Sequence, residues 1–246
     1  MYKTITYITT TCTILTLGKV FIAQKEKKTM KIYLFRHGET MFNRDHKFTG
    51  WKEANLTPKG IKQAKLIAQK LKHKKIDIAY QSHLSRSKDT LKEVLKFHPE
   101  CKEIITDDRM IERSYGKLQG YSHNWLIKKS GEKDYKTMLH WHKIDQLHGK
   151  EKQEFIQKHG EADFKVIHRS YNIPPPNGES VKMVEKRVNA FIKDLIKKMK
   201  KEKINVAIAT HGNSMRPFRR YFEKLTIKEM MQLENPWDDY FEYTIK

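Results

Sequence analysis

From Met30 onward, apolar positions follow two periods in turn. Short apolar runs, Lys31-Ile-Tyr-Leu-Phe35, Ile76-Asp-Ile-Ala-Tyr80, Glu103-Ile-Ile-Thr106 and Asn205-Val-Ala-Ile-Ala-Thr210, read as strands. Between them, apolar residues recur at helical spacing. Thr57 suits an N-cap and Pro58 a first turn, opening a helix whose Ile61, Ala64, Ile67, Ala68 and Leu71 share a face. Ser82 to Arg86 leads into a second helix through Thr90, Leu91, Val94 and Leu95. A long helix starts at Glu179-Ser180 and buries Val181, Val184, Val188, Phe191, Ile192, Leu195, Ile196 and Met199. Another runs from Asn213 to about Tyr221, and Phe241 to Ile245 reads as a last edge strand. Strands alternating with helices predict an α/β fold, three layers α/β/α around a mostly parallel central sheet.

Two stretches break the pattern. Arg109 to Gly116 has no period and reads as loop. Residues 117–177 are the least regular, but they repeat at an offset of 29. Leu118-Gln-Gly120 recurs as Leu147-His-Gly149. Ile127, Lys129, Gly131, Glu132, Asp134 and Lys136 recur as Ile156, Lys158, Gly160, Glu161, Asp163 and Lys165, and Tyr135 matches Phe164. That set in one register predicts a duplicated helical segment over 118–168. One repeat is too few for a solenoid, so the segment is expected as a helical insertion over the active site. Pro174-Pro-Pro176-Asn-Gly178 is a rigid turn.

Residues 1–29 differ from the rest. Ile5 to Ala23 is apolar and threonine-rich but broken by Gly18 and Lys19, poor for a span of about 20 apolar residues. Phe21 spoils a signal cleavage site before Ala23. The segment reads as a dispensable extension, with a signal or anchor as the alternative, and residues 30–246 as the domain. Formal charge is +21, and the extension's five lysines and one glutamate leave +17 (21 − 4) on the body. The bland account is lysines on solvated helix faces. An anionic substrate is the sharper one. Zinc-finger spacing and regularly interleaved aromatics are absent, so nucleic acid is not expected. Cys12 and Cys101 allow at most one bridge, which suits a reducing, cytoplasmic setting.

Candidate chemistry sits at two strand ends. Arg36-His37-Gly38 follows the first strand, and His211-Gly212-Asn213-Ser214 follows Val206 to Thr210. Open α/β sheets place ligands at such ends. A neutral imidazole can attack phosphorus, and an arginine can hold two phosphoryl oxygens. His37 is therefore the candidate nucleophile, forming a transient phosphohistidine. Arg36, Arg86 and His211 would neutralise the phosphoryl oxygens, with Asn43 and backbone N–H groups near Gly38 as further donors. The arginines and a protonated His211 would depress the pKa of His37 and keep its ring neutral. Glu112 is the candidate general acid and base, though many other carboxylates compete. Two arginines make a metal cofactor unnecessary, and none is expected.

These motifs resemble the histidine phosphatase superfamily and, within it, the cofactor-dependent phosphoglycerate mutases, from Met30 to about Leu233. Arg36-His37-Gly38-Glu39-Thr40 looks like the family's RHGxT signature, and Phe48-Thr49-Gly50-Trp51 through Leu56-Thr57-Pro58-Lys59-Gly60 like the segment after it. Ser82-His-Leu-Ser-Arg86 matches the second phosphate arginine. Glu112-Arg113-Ser114-Tyr115-Gly116 resembles the mutase ERHYG, and His211-Gly212-Asn213-Ser214-Met215-Arg216 the mutase HGNSLR. The resemblance implies Glu112 as proton donor and substrate contacts at Asn43, Thr49, Gly50, Tyr115, Gly212 and Asn213.

His168-Arg169-Ser170-Tyr171 to Pro176 is similar to the mutase stretch with paired arginines, of which only Arg169 is kept. The family lysine after a glycine corresponds to Lys152 or to His123, depending on the repeat copy. The second copy runs on into Arg169, which favours Lys152. Asn177-Gly178-Glu179-Ser180 looks as much like the broad-specificity phosphatases.

The implied activity is interconversion of 3- and 2-phosphoglycerate through a phosphohistidine, primed by 2,3-bisphosphoglycerate. A phosphomonoester phosphatase is the alternative. The expected partners are a small phosphorylated substrate and, at most, further copies of the chain, with no membrane. A non-catalytic basic binding protein ranks last, because a charge-only binder has no need of two strand-end histidines.

Overall fold

A computed structural model of the chain describes residues 29–140 and 147–246. Residues 1–28, on which the extension or signal reading rests, lie outside the described residues. Among the described residues, no helix is long and apolar enough to cross a membrane.

Five strands form one sheet: β1 (Met30–Arg36), β2 (Ile78–Gln81), β3 (Glu103–Thr106), β4 (Val206–Thr210) and β5 (Tyr240–Ile245), in the order β3-β2-β4-β1-β5. All pair in parallel except β5, which runs antiparallel to β1 at the edge. The helices are α1 (Met41–Arg44), α2 (Pro58–Leu71), α3 (Ser85–Leu95), α4 (His123–His140), α5 (Gly149–Arg169), α6 (Val181–Glu202), α7 (Gly212–Glu223) and α8 (Ile227–Gln232).

The pleat of β1 divides the core. Ile32 and Leu34 pack with Val184, Val188, Phe191 and Leu195 of α6 and Met215 and Phe218 of α7. Tyr33 and Phe35 pack with Ile67, Ala68 and Leu71 of α2 and Leu91 and Val94 of α3 on the other face. Each fully buried side chain of this size contributes roughly 1.5–3 kcal/mol. The result is the expected three-layer α/β fold.

Three local expectations are corrected. The second strand begins at Ile78 rather than Ile76, because the Ile76 N–H is taken by Glu100 (3.2 Å) and the Asp77 N–H by Asn205 O (2.9 Å). Ile61 faces solvent, since α2 meets the first motif through Gly60, where a Cβ would lie 2.1 Å from Glu39 O. The aperiodic stretch Arg109 to Gly116 is not all loop: Asp108–Met110 and Gly116–Leu118 are single 3-10 turns.

The insertion between β3 and α6 is dominated by α4 and α5, which pack along each other. Repeat-related residues meet reciprocally. A Cβ on Gly131 would lie 1.9 Å from Ile156 O, and one on Gly160 would lie 1.8 Å from Ile127 O. Ser130 Oγ donates to Asp163 (2.7 Å), and His159 Nδ1 lies 4.0 Å from Asp134; the 29-residue offset carries Ser130 onto His159 and Asp134 onto Asp163, so the two pairs are repeat-related.

Candidate active site

The parallel pairing of β1 and β4 creates the site. Arg36 and Thr210 are in register, and His37 N–H donates to Thr210 O (3.0 Å). The next residue on each strand is a histidine, so both rings leave the same sheet end. Their centroids are 5.1 Å apart. β2, on the other side of β4, is followed by Ser82, whose Oγ pairs with His211 Nε2 (2.8 Å). Arg86 sits in the first turn of α3 and is fully buried.

His37 Nδ1–H donates to its neighbour's carbonyl, Gly38 O (2.7 Å), which fixes the tautomer and leaves the Nε2 lone pair for attack. Burial holds the His37 pKa well below its usual range, and Arg86 and Arg36 press it further down, against a small opposing pull from Gly38 O. The ring is neutral at pH 7, as a nucleophile must be. His211 differs from the expectation of a protonated partner. Burial, then Arg86, His37, Arg187 and Arg36, hold its pKa well below 6.5 as well. At neutral pH it is therefore a neutral hydrogen-bonding group, because burial and the nearby guanidinium groups disfavour its cation.

Glu112 comes to the histidines from the loop after β3. One donor atom from each of His37, Glu112 and His211 lies within 4.8 Å of the other two. A divalent cation could use that spacing, but the positive charges of Arg36 and Arg86, which act on both histidines, would oppose it. Glu112 Oε1 accepts from Arg113 N (2.7 Å) and from Asn213 N (3.2 Å) in the first turn of α7. Both bonds fall on Oε1, so Oε2 is the oxygen suited to carry a transferable proton.

Among the described residues, six buried side-chain polar atoms lack a partner, and four of them belong to expected site residues: Arg36 Nε, Arg86 Nε, His211 Nδ1 and Thr49 Oγ1. Buried donors are normally satisfied. An oxyanion such as a phosphoryl group carries the acceptors that such donors lack. The remaining Arg86 nitrogens are committed to the covering loop, Nη1 to Lys52 O (2.9 Å) and Nη2 to Gly50 O (2.7 Å). Gly50 has φ +53°, and a Cβ there would meet Gln119. Gly38 N–H, expected as a phosphate donor, is instead bonded to Thr90 Oγ1 (3.1 Å).

A cavity of about 240 Å³ opens from this floor. Arg36, Asn43, Thr49, Gly50, Glu112, Tyr115, Gly212 and Asn213 line it, all expected site residues. His37, Arg86 and His211 are not among its lining residues and lie just beneath, at most 2% exposed. Gly212 allows this closeness, since a Cβ there would press on the Arg36 guanidinium at 3.1 Å. His46, Phe48, His123 and His168 also line it.

The choice of Lys152 is corrected by this geometry. Lys152 projects from α5 over the Tyr135 ring at 5.0 Å and does not reach the cavity. His123, at the start of α4, does. The first repeat copy follows Gly120 directly into α4 beside Phe48, whose ring lies 4.6 Å from that of His123. The side chain of Arg169 lies outside the described residues. Sequence reasoning missed Arg216, Asn235 and Trp237, which also line the cavity. Trp237 stacks on Arg36 at 4.5 Å, and an aromatic after Asn235-Pro236 in a polar tail was the one signal for it.

The profile of the Histidine phosphatase superfamily (branch 1) matches residues 32–147 and 142–242. The chain belongs to that superfamily. The chain is 31% identical over 227 residues to a 2,3-bisphosphoglycerate-dependent phosphoglycerate mutase of Pseudoalteromonas atlantica, covering 82% of this chain and 87% of the relative. It is 34% identical over 208 residues to the enzyme of the same description from Methanococcus vannielii (83% and 86% covered) and 35% identical over 208 residues to the phosphoglycerate mutase of Schizosaccharomyces pombe (82% and 84%). Among solved structures, a putative alpha-ribazole-5'-P phosphatase from Escherichia coli shares the fold with TM-score 0.66 at 20% identity (88% and 91% covered). A phosphoglycerate mutase from Bacillus anthracis does so with TM-score 0.59 at 18% identity (89% and 93%).

Proposed function

We propose that this histidine phosphatase is a phosphoglycerate mutase, interconverting 3- and 2-phosphoglycerate through a phosphohistidine on His37. The observation that carries the proposal is the buried trio His37, Glu112 and His211, set between two arginines at one sheet end. Resemblance over most of the chain to mutases at 31–35% identity supports the choice of substrate. His37 Nε2 attacks phosphorus, the bond to the ester oxygen breaks, and Glu112 gives that oxygen its proton. Arg36 and Arg86 offset the charge spreading over the phosphoryl oxygens. The phosphoryl group then passes from His37 to the free hydroxyl of a phosphoglycerate, whose proton Glu112 takes, and the bisphosphate so formed returns its other phosphoryl group to His37 as Glu112 gives that proton to the oxygen released. The unpartnered donors of Arg36, Arg86, His211 and Thr49 fit a bisphosphorylated primer. 2,3-Bisphosphoglycerate, when bound, supplies the phosphoryl group that His37 first carries.

A second reading, phosphomonoester hydrolysis, is favoured by one feature. His123 and His168 line the cavity at the sequence positions where the mutase resemblance would put cations. An assay of 3-phosphoglycerate with and without primer separates the two. Formation of 2-phosphoglycerate that depends on primer is the expected result, and inorganic phosphate with no isomer would replace the mutase reading by the phosphatase one.

A further inference from the structure

The loop that carries Glu112 runs between β3 and α4 with only 3-10 turns for regular structure, yet it presents a carboxylate within 4.8 Å of two imidazoles. Something outside the loop must fix it. Arg187, on the buried side of α6, does so with every N–H it has. Its Nη1 donates to Arg109 O (2.9 Å) and Ile111 O (2.7 Å), and its Nη2 to Glu112 O (3.0 Å) and Glu179 Oε2 (2.9 Å). Its Nε donates to Glu179 Oε1 (2.9 Å). A guanidinium has five N–H donors, and here all are spent on protein. No donor remains for a phosphoryl oxygen, so Arg187 is not a substrate arginine although it lies close enough to lower the pKa of His211.

Glu179 completes the grip. Its Oε2 also accepts from Ser114 N (2.9 Å). The pair therefore holds the chain on both sides of Glu112: the carbonyl of Glu112 itself, two carbonyls before it, and the amide two residues after it. Trp51 Nε1 adds a second donor to Glu112 O (2.7 Å). A lysine at 187 could not replace this, because a point charge lacks the planar fork that bridges carbonyls and a carboxylate at once.

We infer that Arg187 and Glu179 are positioning residues that aim the Glu112 carboxyl at the oxygen leaving phosphorus. The inference rests on Glu112 as proton donor. A misaimed acid slows transfer from esters whose leaving oxygen needs a proton and spares esters with an acidic leaving group, whereas a general loss of structure slows both.

The test uses the full chain with Arg187→Met, Glu179→Gln, Glu112→Gln and the double variant Arg187→Met/Glu112→Gln. Single-turnover phosphorylation of His37 is followed with 2,3-bisphosphoglycerate and with 4-nitrophenyl phosphate. Arg187→Met is expected to slow phosphorylation by the bisphosphate by roughly 100-fold and by the nitrophenyl ester by less than about threefold. In the Glu112→Gln background it should add less than about twofold, since one proton transfer cannot be lost twice. Equal losses on the two esters, or a full additional loss in the double variant, would reduce Arg187 to a structural brace and overturn the inference. Glu112→Gln without effect on the bisphosphate would overturn the proton-donor reading itself. Full activity of Arg187→Met beside an inactive Glu112→Gln would overturn only the inference. Glu179→Gln, which keeps the side chain's size, carries the same comparison should Arg187→Met fail to fold.

Discussion

Gly131 and Gly160 each admit the backbone of the opposite helix, the first at Ile156 O and the second at Ile127 O. The two helices of the insertion can approach this closely only because both positions lack a Cβ. Gly131→Ala or Gly160→Ala should each destabilise the insertion by about 2–3 kcal/mol through overpacking against backbone. Limited proteolysis of the α4–α5 pair and thermal unfolding read the effect. An unchanged digestion pattern for both variants would show that the helices can separate at no cost.

The position of His123 yields a second prediction. Lys152→Ala should leave turnover and KM within twofold, since that lysine only covers Tyr135. His123→Ala removes a cavity wall and should raise KM for phosphoglycerate roughly tenfold, about 1.4 kcal/mol of lost contact. Steady-state kinetics of the two variants check it, and the reverse ranking would restore the second repeat copy to the site.

The depressed pKa of His37 predicts how the nucleophile titrates. Its ring should stay neutral down to a pH well below 6.5, because burial, Arg86 and Arg36 all disfavour the cation. Arg86→Met removes the second of these causes and should move the titration upward. Ring NMR of the phosphate-free protein measures both, and a His37 midpoint near 6.5 in the native chain would contradict the assignment.

The same histidines make stability depend on acidity. Folded-state pKa values lie below the unfolded value for His37 and His211, and burial, with His46 a lesser cause, lowers His123 to about 4. Between pH 6.5 and those values the unfolded chain binds more protons, so stability rises with pH there and is lost as pH falls. The melting temperature should therefore drop from pH 6.5 to 5, above the range where most carboxylates titrate. His123→Gln should flatten that slope, which calorimetry across the interval would record.

Much of this was legible from local pattern. The strand-end histidines announced themselves because a buried strand, an Arg or Thr and a His-Gly turn are contiguous in sequence. What the pattern could not carry was distance across the chain. His123 and Lys152 are equivalent in the repeat, and only the path from Gly120 past Phe48 into α4 decides which reaches the cavity. Arg187 carried no signal of its role, because the backbone carbonyls it holds lie 75–78 positions away. Trp237 belongs to a tail whose docking on Arg36 has no periodic signal at all.

One consequence concerns how the molecule is made. β1 is the first strand of the described chain, yet its only partners in the sheet are β4 and β5, the last two. As the ribosome delivers the protein, that apolar segment must wait, without a strand partner, through most of translation. Such late, long-range pairing is slow and exposes the nascent polypeptide to aggregation. The geometry that joins the two imidazoles therefore delays any activity until the chain is nearly complete.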